Sequence, residues 1–86
     1  MNKINSYIGF AIKSRNIVYG ADNILSSKKC KLIIASENLS QNTINKLQTK
    51  NIKIILLKEV DYNSLNLRGL VVGITDESLS KAIQNL

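Results

Sequence analysis

The amino-acid sequence predicts an α/β fold, a three-layer α/β/α sandwich around a four-stranded mixed sheet. Three observations predict it. Segments with apolar residues at helical spacing alternate with short apolar runs. Those runs are apolar along their whole length, so both of their faces must be covered. Proline is absent, glycine is limited to 4, and no linker or low-complexity tract interrupts the 86 residues, so the chain reads as one domain, 1–86, with a modest core.

The first element rests on Ile4, Tyr7, Ile8, Ala11 and Ile12, spaced as one face of an amphipathic helix that ends near Lys13-Ser14-Arg15. Asn16 to Tyr19 reads as a short strand, and Gly20 as the turn into a second helix. On that helix Ala21, Ile24, Leu25 and Lys28 share one arc, while Asp22, Asn23, Ser26 and Ser27 share the opposite, solvent-facing one. Lys28-Lys29-Cys30-Lys31 closes it with cations, and Lys31 to Ala35 follows as a buried strand. Ser40 is the expected N-cap of a third helix running to about Lys50, with Leu39 and Ile44 spaced as a hydrophobic staple. Asn51 turns the chain into a third strand, Ile52 to Leu57. The polar stretch from Lys58 to Leu67 holds one weak helical turn around Tyr62 to Leu65. Leu70 to Ile74 is the fourth strand, and Thr75-Asp76-Glu77 opens the last helix with a capping hydroxyl and two carboxylates. Its apolar face is Leu79, Ala82, Ile83 and Leu86.

Composition narrows the chemistry. Twelve Lys and Arg against six Asp and Glu give a formal charge of +6 and a pI near 9.7, which favours a polyanionic partner. The lack of His rules out Ser/His and Cys/His nucleophiles as well as Cys/His metal sets. One cysteine, Cys30, forms no internal disulfide, reads as a small core hydrophobe, and fits a reducing cytoplasm. Isolated glycines match neither nucleotide-binding spacing, so no cofactor is expected. The opening residues from Met1 to Ser6 resemble neither a signal h-region nor a membrane span. Glu37, Glu59, Asp61 and Asp76 follow strands and are the only basis for a carboxylate enzyme. Glu37, Glu59 and Asp61 read more simply as solvated loop charges, and Asp76 and Glu77 as complements to a helix start.

The stretch Asn16 to Leu25 is the part that looks built for something besides packing. A glycine followed by Asp and Asn presents a helix start suited to phosphate, beside side chains able to read base edges. Few aromatics are available for base stacking, so an RNA partner meets helix ends, loops and basic side chains, which suits an internal loop.

Taken in order, Ile8-Gly9-Phe10-Ala11-Ile12-Lys13, Ile17-Val18-Tyr19-Gly20, Lys31 to Glu37, Asn42-Thr43 and Val72 to Asp76 resemble the kink-turn RNA-binding ribosomal proteins of the L-seven-Ae and L-thirty-e superfamily, particularly the small bacterial YlxQ-like members. The likeness spans nearly the whole chain. It implies an α/β/α sandwich whose RNA site is the start of the second helix plus the loop before the last strand. The family signature is a glycine, one variable residue, Asn-Glu, and a lysine three positions after the Glu. On this chain the glycine is Gly20 and the variable residue Ala21, while Asp22, Asn23 and Ser26 stand at the Asn, Glu and Lys positions. Acid and amide are exchanged and the lysine is missing.

The resemblance thus implies a non-catalytic RNA-binding protein, a candidate for ribosome association, that works as a monomer away from membranes. Gly20, Asp22 and Asn23 would grip a kinked loop, ringed by Lys13, Arg15, Lys28, Lys29, Lys31 and Arg68. Leu67 in the second loop would meet a flipped-out nucleotide. The alternatives are the same fold as a protein-interaction module and, more distantly, a small carboxylate enzyme.

Overall fold

The structure, a computed structural model, describes residues 3–86. Met1 and Asn2, which open the stretch read as lacking a signal h-region, lie outside the described residues. Five helices and four strands alternate: α1 (Lys3–Lys13), β1 (Ile17–Tyr19), α2 (Ala21–Ser26), β2 (Leu32–Ser36), α3 (Gln41–Gln48), β3 (Ile54–Leu57), α4 (Glu59–Asn63), β4 (Val71–Ile74) and α5 (Glu77–Gln84). No helix among the described residues is long and apolar enough to cross a membrane.

The sheet has the order β1-β4-β2-β3, with β4 antiparallel to both β1 and β2 and with β2 parallel to β3. Side chains on successive strand residues point to opposite faces, so β2 and β4 feed two cores. One core joins Ile8 and Ala11 of α1, Tyr62 of α4 and Ile83 of α5 to Leu32, Ile34, Val72 and Ile74. The other joins Ile24 of α2 and Leu47 of α3 to Cys30, Ile33, Ala35 and Val71. These are the three layers that the whole-length apolar strands require.

The helix ends depart from the sequence reading in ways that local pattern does not encode. Helix α2 stops at Ser26 instead of reaching Lys31, because Ser27 is extended (φ −75°, ψ 134°) and the Lys50 ammonium donates to the carbonyls of Leu25 (3.1 Å) and Ser27 (2.8 Å). Lys28 and Lys29 therefore lie in the turn after the helix and do not close it. Helix α4 begins at Glu59, earlier than the turn expected around Tyr62 to Leu65, because the Glu37 carboxylate accepts the Glu59 backbone N–H at 2.7 Å. Glu37 is thus a helix cap and not only a solvated charge. In α5 the capping group is Asp76, which accepts from Leu79 N–H at 2.7 Å, in place of the expected Thr75 hydroxyl. Ile12 sits on the margin of the buried arc of α1 and is 42% exposed, against the expected core position. Ser40 caps α3 as expected, accepting from Thr43 N–H, and Asn51 turns the chain at φ 56°.

Candidate nucleic-acid interface

Hydrogen bonds at the two ends of β4 sort the loops. At its start the Val71 carbonyl accepts from Gly20 N–H (3.2 Å) and the Leu70 carbonyl accepts from Ser36 N–H (2.9 Å), while Glu37 N–H reaches Leu57 across the parallel pair (2.8 Å). This is the Gly20 end of the sheet. At the other end the Ile74 carbonyl accepts from Lys31 N–H (2.7 Å), and Thr75 N–H donates to Asn16 (3.0 Å).

Gly20 has φ 86° and ψ 148°, a backbone region essentially reserved for glycine, and open space where a Cβ would stand. Glycine is required there by conformation and not by crowding. The conformation reverses β1 straight into α2, whose first turn carries Asp22 and Asn23 exposed and Ala21 half-buried. The α2 helix has only 6 residues and no side-chain cap at its start, so its summed dipole is small. What this end offers a ligand is side chains, more than the helix-terminus charge expected from sequence.

Asn23 is oriented by a bond from its Nδ2 to the Tyr19 carbonyl at 2.9 Å. That leaves its carbonyl oxygen and second N–H for a ligand, beside the acceptor-only carboxylate of Asp22. Ser26 donates to the Asn23 backbone carbonyl (3.2 Å) and supplies no charge where the signature of the resembled family has a lysine.

The second expected segment comes to the same end. Arg68 stacks over the Tyr19 ring, 4.6 Å from its centroid. Tyr19 in turn lies close to Tyr62, whose hydroxyl is pushed up to about 12 by burial first and by Tyr19 second. Leu67 is half-buried against the core, which makes it an anchor of this loop more than a platform for a base. The exposed apolar side chain here is Leu70, at 42%, which the sequence pattern makes the first residue of the fourth strand. The sign against that placement is Gly69 just before it, at φ 69°, which delays the strand until Val71.

The basic rim is where structure and expectation part. Arg68 is at the Gly20 end, but Lys13, Arg15, Lys28, Lys29 and Lys31 belong to turns at the opposite end, beside Asn16 and Ile74. The separation is about 10 Å, the rise of β4. The charges that follow β1, β2 and β3 or precede β4 at the Gly20 end of the sheet are Asp22, Glu37, Glu59 and Asp61 against Lys58 and Arg68. The carboxylates that a small acid–base enzyme would use are divided as well: Glu37 and Asp76 cap helices at opposite ends of the sheet. Among the described residues no group of three His, Cys, Asp or Glu side chains is gathered to hold a metal ion.

No protein-family model and no curated protein matches the chain. Among solved structures it is similar to a protein with unknown function from Bacillus halodurans C, at TM-score 0.78 and 16% identity over 94% of this chain and 92% of that one. At that identity the likeness shows the fold alone.

Proposed function

We propose that this chain is a non-catalytic, cytoplasmic RNA-binding protein that holds a kinked internal loop at the Gly20 end, as the resemblance to the L-seven-Ae and L-thirty-e proteins implies. One observation carries the reading: the start of α2 and the loop ahead of β4, far apart in sequence, are joined by the Gly20–Val71 hydrogen bond and the Arg68–Tyr19 stack. In this arrangement Asp22 accepts from a guanine amino or imino group, Asn23 both donates and accepts, and Arg68 meets phosphate. Ribosome association is part of the same proposal.

The test compares a duplex carrying tandem sheared G·A pairs in an internal loop with one in which those pairs are Watson–Crick. The kinked RNA should bind more tightly, and Asp22→Ala and Asn23→Ala should each reduce that preference by about 1–3 kcal/mol. Equal affinity of the unmodified protein for both RNAs overturns the reading. It would favour the protein-interaction module instead, which has Leu56 (53%), Val60 (72%) and Leu70 (42%) exposed around the same end and an excess of acid over base there.

A further inference from the structure

The opposite end of the sheet gathers the turns that lead into β1, β2 and β3. Asn16 is tied to Thr75 and Lys31 to Ile74, and the third turn joins where the Lys53 carbonyl accepts the Ile33 N–H at 2.9 Å. Each turn carries exposed cations: Lys13 and Arg15, then Lys28, Lys29 and Lys31, then Lys53. Strands lie about 4.8 Å apart, so in the order β1-β4-β2-β3 these turns spread over about 15 Å across the strand ends. Two acids share this end, and both are engaged. Asp76 caps α5 at 2.7 Å, and Glu77 pairs with Lys81 at 3.4 Å, the one ion pair among the described residues. Lys50 spends its ammonium on α2, but the cations of the row have no anionic partner among the described residues.

We propose that this row is a second nucleic-acid surface, one that grips the phosphodiester backbone of a duplex without reading its sequence. A duplex carries one negative charge per about 1.7 Å of axis, so a row of this length faces several phosphates at once. Lys and Arg on short turns provide point charges and phosphate forks but no rigid element to enter a groove. An anionic membrane fits less well, since the large exposed apolar side chains near the row, Phe10 and Ile12, both stand beside the first turn and the other two turns carry none, whereas adsorption gains from apolar insertion along with charge. The row stands about 10 Å from the Gly20 end, beyond the Debye length of about 8 Å at physiological salt. Its grip on a plain duplex therefore does not require kinked-loop recognition.

The experiment uses the full chain and a short RNA duplex of Watson–Crick pairs only, with affinity measured across a salt series. Binding should weaken linearly in log–log form. Combined Lys28→Gln, Lys29→Gln and Lys31→Gln should flatten the slope by about 2–3, about one for each phosphate no longer neutralised. Paired Lys13→Gln and Lys53→Gln should flatten it by about 2, which keeps the test open if the triple variant folds poorly. Lys3→Gln with Lys58→Gln, which removes charge elsewhere, should leave it unchanged. The proposal is overturned if the row variants keep the slope, if the control pair flattens it equally, or if the row lysines drive binding to phosphatidylserine vesicles with none to the duplex. Loss of this surface with retained preference for the kinked RNA would leave the Gly20 reading standing.

Discussion

Replacing Gly73 by Ala tests how α2 is seated on the sheet, and so what holds Asp22 and Asn23 in position. Gly73 lies in β4 between Val18 and Ile33, on the face covered by α2. An added Cβ would stand 2.6 Å from Cys30 Sγ and 3.2 Å from Ile24 Cγ1. Ordinary nonbonded contacts are about 3.5–4.0 Å, so the sulfur must yield by about 1 Å. It has little room: Cys30 is buried, and its thiol donates to the Leu32 carbonyl at 3.4 Å. Overpacking of this kind costs about 1–3 kcal/mol, and the reduced freedom of the unfolded chain returns about 0.4–1 kcal/mol. A net loss of about 1–2 kcal/mol corresponds to a melting point lower by roughly 5–15 °C in a domain of this size. Urea and thermal denaturation followed by circular dichroism measure it. Cys30→Ala removes the sulfur, so the double variant should be at least about 0.5 kcal/mol more stable than the two single losses sum to, with the Ile24 contact keeping the rescue partial. Undiminished stability in Gly73→Ala, or strict additivity in the double variant, would refute the close-approach argument. If α2 is lifted instead of the sulfur displaced, preference for the kinked RNA falls along with stability.

Two further substitutions have their signs fixed by the structure. Arg15 sits at φ 60° where α1 ends, with its N–H on Ile12 and that of Asn16 on Ala11, the hydrogen-bond pair of a glycine-type helix stop. Arg15→Gly should therefore raise stability by about 0.5–1 kcal/mol in urea titration while flattening the plain-duplex salt slope by about one. The Tyr62 hydroxyl is buried without a hydrogen-bond partner among the described residues, so Tyr62→Phe should stabilise by about 1 kcal/mol at neutral pH. With the ordinary value at 10.0 and the folded group at about 12, the unfolded chain gives up this proton first. Stability is thus full below pH 10 and falls about tenfold in the folding constant per unit between pH 10 and 12. The difference between the parent chain and Tyr62→Phe isolates that slope from lysine titration, and an identical pH profile in the two would refute it.

What local pattern encodes was legible in the sequence. The spacing of Ile4, Ile8 and Ala11, the Ser40 cap, the Asn51 turn and the apolar strands all follow from contacts within a few residues. The departures come from partners brought in by folding. Lys50 ends α2 from 25 and 23 positions away, and Glu37 starts α4 from 22 positions away. The single basic rim fails for a related reason. Lys28 to Lys31 follow Gly20 closely in sequence, but α2 runs from one end of the sheet to the other, and its 6 residues advance about 9 Å. Leu70 is misplaced by pattern because an apolar residue beside three others reads as strand, whereas it precedes the first paired residue, Val71.

The division of charge also sets what salt should do to recognition. At the Gly20 end, Asp22, Glu37, Glu59 and Asp61 repel a phosphate backbone, and Lys58 and Arg68 offset them in part. Such a surface disfavours a regular duplex and tolerates an RNA that turns base edges toward the protein, which a kinked internal loop does. Attraction over distance must then come from the row of cations at the other end. On the proposed reading preference and attraction separate: base contacts at Asp22 and Asn23 would release few counterions, while lysine contacts would release about one each. The affinity for kinked and plain duplexes should fall together as salt rises, and between about 50 and 200 mM their ratio should fall by no more than about fourfold, the share of the single Arg68 contact, where a shared cationic grip at Gly20 would make the ratio itself collapse. Measuring both RNAs across one salt series decides it, because a ratio that falls by about tenfold or more would return the lysines to the recognition site and refute the division.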